Sequence, residues 1–124
     1  MVAINDLADA KTLAYLLKYD SIHGIFNAEI STEENKLLVN GKTTTVFNQK
    51  HPSKINLTST EVDVVGEATG KFKTRPELEN HVGETVKKVI LSVPPQDESI
   101  KMVVLGVNDH ILDGNEDIIS NASC

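Results

Sequence analysis

Arginine occurs once in these 124 residues, at Arg75, and cysteine once, at Cys124. Tryptophan is absent and aromatic residues make up 4% of the chain. No apolar run approaches the roughly 18 residues of a membrane span. Asn5, Asp6 and Asp9 interrupt any apolar stretch near the start, so no signal peptide is expected. A single cysteine closes no internal disulfide, and a soluble, reducing, cytoplasmic setting is the expectation. Twelve basic residues against 18 acidic ones leave a net charge of −6. Nucleic-acid binding needs a basic surface, so that class of partner is excluded. The seven glycines (Gly24, Gly41, Gly66, Gly70, Gly83, Gly106 and Gly114) nowhere form Gly-x-Gly-x-x-Gly, the phosphate-binding turn of dinucleotide folds. His23, His51, His81 and His110 stand too far apart to offer a helical ligand pair, and with one cysteine they imply no metal site. Loop and helix-surface positions are expected for all four.

Hydrophobic residues account for 40% of the chain. With aromatics scarce, Ile, Val and Leu must build the core, which favours an α/β interior. Met1 to Ile4 reads as a short strand ended by Asn5-Asp6. Asp9 is placed to cap a helix over Ala10 to Tyr19, where Leu13, Leu16 and Leu17 recur at helical spacing. Residues 20–24 read as a loop. Strands are expected at 25–31, 36–39 and 43–47, with Asn40-Gly41 as a hairpin turn because both positions tolerate positive φ. His51-Pro52-Ser53 breaks the pattern. Further strands are expected at 62–68, 88–92, 102–107 and 117–120. Thr69-Gly70 turns out of the first of these, and Pro94-Pro95 stops the second. Thr74 and Glu77 have capping-box spacing, so a helix over roughly 75–84 should follow. Apolar strands alternating with helices imply a parallel sheet. No repeat, low-complexity segment or interdomain linker stands out, and the charge pairs Glu33-Glu34 and Lys87-Lys88 read as solvated surface.

Two positions carry chemistry. Asp6 lies just past the end of a strand, where open α/β sheets bind ligands. A carboxylate there can accept both hydroxyls of an adenosine ribose and would repel a 2′-phosphate, favouring NAD over NADP. From position alone, a helix-entry or loop aspartate is the commoner reading. The glycine-rich turn that normally accompanies such an acid should lie about 20 residues upstream, and five residues precede Asp6. Cys124 follows a strand and a run of small polar residues, a layout suited to a nucleophile. Activating the thiol calls for a helix N-terminus or a histidine partner. Within the chain alone, an exposed and unreactive thiol is the simpler reading.

Eight runs, in order, cover essentially the whole chain: Val2-Ala3-Ile4-Asn5-Asp6, Leu17-Lys18-Tyr19-Asp20-Ser21-x-His23-Gly24, Val39-Asn40-Gly41-Lys42, Pro52-Ser53-Lys54-Ile55, Glu67-Ala68-Thr69-Gly70-x-Phe72, Lys87-Lys88-Val89-Ile90, Leu105-Gly106-Val107-Asn108 and Ser120-Asn121-Ala122-Ser123-Cys124. Together they resemble phosphorylating glyceraldehyde-3-phosphate dehydrogenase. The resemblance implies that residues 1–124 are a partial NAD-binding domain. Its first strand and glycine-rich turn, and the whole catalytic domain, would be absent. The implied fold is an incomplete Rossmann-type, mostly parallel sheet with an antiparallel hairpin excursion. In the order 3-2-1-4-5-6 the missing strand is central. The strands at Met1–Ile4 and Val62–Ala68 must then pair with each other or expose two edges.

Roles follow position by position from the same resemblance. Asp6 matches the ribose-binding acid, Lys50 a basic residue near the adenine, Thr69 the turn beside the cofactor, and Ser92 a residue on the nicotinamide side. Cys124 matches the nucleophile and Ser123 its substrate-contacting neighbour. The implied cofactor is NAD. The implied reactants are a sugar phosphate and inorganic phosphate, and the parent enzyme would be a homotetramer. The sequence departs from the family pattern at His51, where an acid is usual, and at Thr85-Val86, where Gly-Ala is usual. Two alternatives stay open: a non-catalytic nucleotide-binding remnant, and part of an erythrose-4-phosphate dehydrogenase. The isolated chain is expected to be inactive.

Overall fold

The computed structural model describes every residue except Glu84, Ser123 and Cys124. The expectations for Ser123 and Cys124 therefore lie outside the described residues. Contacts divide the chain into two compact units, Met1–Asn56 and Leu57–Cys124.

The first unit contains β1 (Ala3–Asn5), α1 (Ala10–Lys18), β2 (Tyr19–Asp20), β3 (Gly24–Ile25), β4 (Ile30–Glu33), β5 (Lys36–Val39) and β6 (Lys42–Phe47). Asp9 caps α1 as expected, its carboxylate accepting the Thr12 N–H at 2.7 Å. The main sheet runs β1-β6-β5-β4, with β1 and β6 parallel and the other pairs antiparallel. Asn40 (φ 50°) and Gly41 (φ 77°) both occupy the left-handed region, and Val39 pairs with Lys42 across them. A two-residue hairpin turn of that kind matches the right-handed twist of the strands. The expected loop at 20–24 is instead the tip of a small hairpin, β2 against β3. The expected strand at 25–31 is split, because Phe26 bonds back to Lys18 and residues 26–29 leave the ladder before β4 begins. Ala10, Leu37 and Val46 form the core, with Ile4, Leu13, Ala14, Ile30 and Val39 packed on it.

The second unit contains β7 (Val64–Glu67), α2 (Arg75–Leu78), β8 (Lys88–Leu91), β9 (Lys101–Met102) and β10 (Ile118–Ser120). Its sheet runs β7-β8-β10-β9 and is parallel throughout. The central strands carry the core, with Val89 and Leu91 fully shielded and Ile118 1% exposed, whereas Ile90 between the first two is 37% exposed. Leu78 of α2 is also fully shielded. The capping box forms: Glu77 Oε2 accepts the Thr74 N–H at 3.0 Å. The helix is shorter than expected, ending at Leu78 and passing into a 3-10 turn over Glu79–His81. Asn80 Nδ2 donates to the carbonyls of Pro76 and Glu77, at 3.0 Å each, in place of a further helical turn. The strand expected at 102–107 stops at Met102. Asn108 folds back, accepting the Val104 N–H at 2.6 Å and donating to Met102 O at 3.0 Å, and the chain turns through Gly106 (φ 78°).

Among the described residues, β1 bonds to β6 and β7 to β8 within their own sheets.

Candidate nucleotide-binding site

The register Asn5↔Phe47 makes β1 and β6 end together at their carboxyl termini. The chain beyond them is locked by amides. Asn5 Nδ2 donates to Gln49 O at 3.0 Å, and the Gln49 N–H returns to Asn5 Oδ1 at 2.9 Å. Asn48 Nδ2 donates to Asp6 O at 2.8 Å, and the Asp6 N–H reaches Phe47 O at 3.2 Å. Asp6 and Lys50, two of the sequence-predicted site residues, are thus carried on one rim, and both are exposed. The Asp6 Oδ1 accepts the Ala8 N–H at 2.8 Å, which orients the carboxylate and leaves it acceptor capacity for two further donors. Asn5, Asn48 and Gln49 escaped the sequence reading of the site, which took Asn5 only as part of a strand terminator. Their signal was an amide immediately after each of two strands.

A second rim lies at the carboxyl ends of β7 and β8, paired through Glu67↔Leu91. The Ser92 N–H donates to Glu67 O at 3.0 Å, so Ser92 extends the ladder by one residue. Thr69 sits in the turn after β7 with Gly70 (φ 69°). This rim brings Thr69 and Ser92 onto one edge. Beyond β10, the Ser120 hydroxyl donates to Val93 O at 2.8 Å and accepts the Ala122 N–H at 3.1 Å. Ala122 has φ 60°, so the backbone is bent just before Ser123-Cys124.

Beneath the second rim lies a buried pair that the sequence reading missed. Glu67 and His81 are 3% and 4% exposed, with Nε2 and Oε2 2.9 Å apart. His81 is therefore a core residue, not the surface histidine expected from sequence. It follows a turn that leaves α2 early, and its partner lies 14 residues upstream. Burial pushes the Glu67 carboxyl up, but hydrogen bonds from His81 and from the Thr69 hydroxyl and N–H outweigh it and hold the group below its usual range. Lys88 also departs from the solvated reading. Its ammonium bonds Gly114 O at 3.0 Å and Glu116 O. Lys101 holds the Glu116 side chain and Ile111 O, and the Lys101 hydrogen bond lowers the Glu116 carboxyl to about 2. The single arginine is structural: Arg75 bonds Asp117 at 3.1 Å and Ser99 at 3.0 Å. The remaining histidines sit on exposed positions, His23 beside Asp20 at 3.1 Å and His51 beside Ser53 at 2.9 Å. Among the described residues no helix is long and apolar enough to cross a membrane.

A parallel sheet in one unit and a mixed sheet with an antiparallel meander in the other are consistent with an α/β protein of the Rossmann type. Comparison with known proteins specifies it further. The family model for "Glyceraldehyde 3-phosphate dehydrogenase, NAD binding domain" matches residues 1–75. Glyceraldehyde-3-phosphate dehydrogenase 1 of Bacillus cereus is 50% identical over 125 aligned residues. The enzyme of the same name from Bacillus subtilis is 46% identical, and glyceraldehyde-3-phosphate dehydrogenase of Clostridium acetobutylicum 47%. In each case all of this chain and 37% of the relative are covered. The chain belongs to the glyceraldehyde-3-phosphate dehydrogenase family, and the cofactor of the matched domain is NAD.

Proposed function

We propose that residues 1–124 form part of the NAD-binding domain of a phosphorylating glyceraldehyde-3-phosphate dehydrogenase acting in glycolysis in the cytoplasm. The carrying observation is the exposed Asp6 carboxylate on the β1 rim, oriented by the Ala8 N–H, on a backbone that Asn48 holds through the Asp6 carbonyl. In this reading Asp6 accepts the adenosine ribose hydroxyls and repels a 2′-phosphate. Lys50 lies near the adenine, Thr69 contacts the cofactor from the turn after β7, and Ser92 lies on the nicotinamide side. The family's first strand, absent from these residues, would cover the open edge of β1, and its glycine-rich turn would hold the pyrophosphate at a helix N-terminus.

Cys124 is the nucleophile. Its thiolate adds to the aldehyde carbon of glyceraldehyde 3-phosphate, and the carbonyl oxygen takes a proton to give a thiohemiacetal. NAD, when bound, supplies the acceptor for the hydride lost from that carbon. Loss of the hydroxyl proton leaves a thioester on Cys124. Inorganic phosphate then attacks the acyl carbon, releasing 1,3-bisphosphoglycerate and restoring the thiolate. Ser123 contacts the substrate. The general base, the phosphate ligands and the contacts of a homotetramer belong to residues outside these 124.

The test is replacement of the corresponding stretch of the Bacillus cereus enzyme by residues 1–124. A folded chimera should form NADH from NAD, phosphate and glyceraldehyde 3-phosphate, and Cys124→Ser should abolish it. A folded, inactive chimera would contradict the assignment, as would turnover by the 124 residues alone. Lacking the phosphate cradle, the chain alone should bind NAD more weakly than millimolar.

A further inference from the structure

The hydroxyl of Thr69 is not free to choose its role. It donates to Glu67 Oε1, which also accepts the Thr69 N–H at 2.8 Å. The same hydroxyl oxygen accepts the Lys71 N–H at 3.1 Å. The other Glu67 oxygen is taken by His81 Nε2 at 2.9 Å, in a pair that is almost completely buried. An ionised carboxylate only accepts, so both Thr69 protons point toward Glu67. We propose that Glu67 is the positioning residue for Thr69 and His81 the buried brace that holds Glu67, so that Thr69 presents its ligand with an oxygen that can only accept.

The brace works through geometry. Glu67 is the last residue of β7, and its backbone is fixed by the ladder to Leu91 and by the Ser92 N–H. His81, held by the turn after α2, stops the carboxylate from swinging into solvent. Its ring must carry a proton on Nε2 to donate. The group of the cofactor that meets Thr69 is therefore an N–H or O–H donor, such as an amino group or a sugar hydroxyl, and not a phosphate oxygen or a bare ring nitrogen. This inference rests on the reading of Thr69 as a cofactor contact.

Nuclear magnetic resonance of the 124-residue chain, titrated with NAD to tens of millimolar so that weaker-than-millimolar binding is still read, separates the two. In the unaltered chain NAD should shift the Thr69 and Gly70 amides. In Glu67→Gln, whose amide places a donor against the Thr69 donors, that shift should fall by about twofold or more, while the response at Asp6 persists. His81→Gln can replace the Nε2 donor with a side-chain amide and should retain most of the Thr69 response, whereas His81→Leu should lose it. A merely structural pair would weaken Asp6 and Thr69 together and would not distinguish the two His81 variants. Absence of any response at Thr69 in the unaltered chain would overturn the cofactor reading, and this proposal with it. A full Thr69 response in folded Glu67→Gln would overturn the positioning role alone. Should Glu67→Gln fail to fold, the unaltered chain still decides. The Thr69 hydroxyl proton should exchange slowly and His81 should be protonated on Nε2, and a rapidly exchanging hydroxyl or a bare Nε2 would refute the proposal.

Discussion

The two units bury their apolar residues in different ways. In the second unit every strand pairing is parallel, and Val89, Leu91, Ile118 and Ser120 are buried while Ile90 between the first two is 37% exposed. In the first, three of the four strands of the main sheet form an antiparallel meander, and the core reduces to Ala10, Leu37 and Val46 with partly buried neighbours. Tyr15, Leu16, Ile22, Ile25 and Phe26 of that unit stay exposed. A parallel sheet needs cover on both faces, whereas an antiparallel one can leave a face open. The contrast teaches where stability and function separate. Asp6, the acid proposed to bind the ribose, sits on the thinly packed unit, its backbone held by amide hydrogen bonds. The Thr69 turn sits on the densely packed one, braced from below by a buried pair.

Cavity-forming substitutions should break the comparison most strongly. Leu91→Ala, in a site with no solvent exposure, should cost about 3–4 kcal/mol, and Leu37→Ala about 2–3 kcal/mol because its surroundings can relax. Denaturant unfolding read separately for each unit checks the order, and a larger loss at Leu37 would reverse it.

Acid should also act unequally. Glu67, Glu77, Asp97, Glu116 and Asp117 of the second unit all have lowered carboxyl pKa values. In the first unit only Asp9 and Asp20 are resolved as lowered. A group depressed on folding contributes stability that is present above its unfolded pKa and lost as pH falls through the folded one. The second unit should therefore lose more stability than the first as pH drops from about 4.5 toward 2, the span over which Glu116 is depressed. Amide hydrogen exchange across that range reports it, and equal losses would count against the contrast.

Local turn chemistry matters less. Gly41→Ala, at φ 77°, and Asp9→Ala, which removes the α1 cap, should each cost about 1 kcal/mol, in the first unit alone. Smallest of all should be Leu105→Ser. That side chain is 88% exposed, and thermal unfolding should change by less than about 0.5 kcal/mol.

Features set by neighbours in the chain were legible before the structure. Asp9 announced its helix, Asn40-Gly41 its turn, and Thr74 with Glu77 the start of α2. Each depends on a side chain or a dihedral within four residues. Features decided at a distance were not legible. The end of α2 depends on Asn80 competing for backbone carbonyls, and the early stop after Met102 on Asn108 folding back across six residues. Burial of His81 depends on Glu67, and nothing near His81 in sequence signals a carboxylate waiting at the end of another strand. The same division holds for the site. Asp6, Lys50, Thr69 and Ser92 could be placed at strand ends from pattern and resemblance, whereas the amides and the buried pair that hold them required the register.

The account depends on Asp6 acting as the acid that receives the ribose and excludes a 2′-phosphate. Steady-state kinetics of the chimera with NAD and with NADP test this most directly. The expected result is a kcat/KM preference for NAD that falls about tenfold or more in Asp6→Ala, as loss of a charge-assisted hydrogen bond would produce. An unaltered chimera that uses NADP as well as NAD, or a preference untouched by Asp6→Ala, would contradict it.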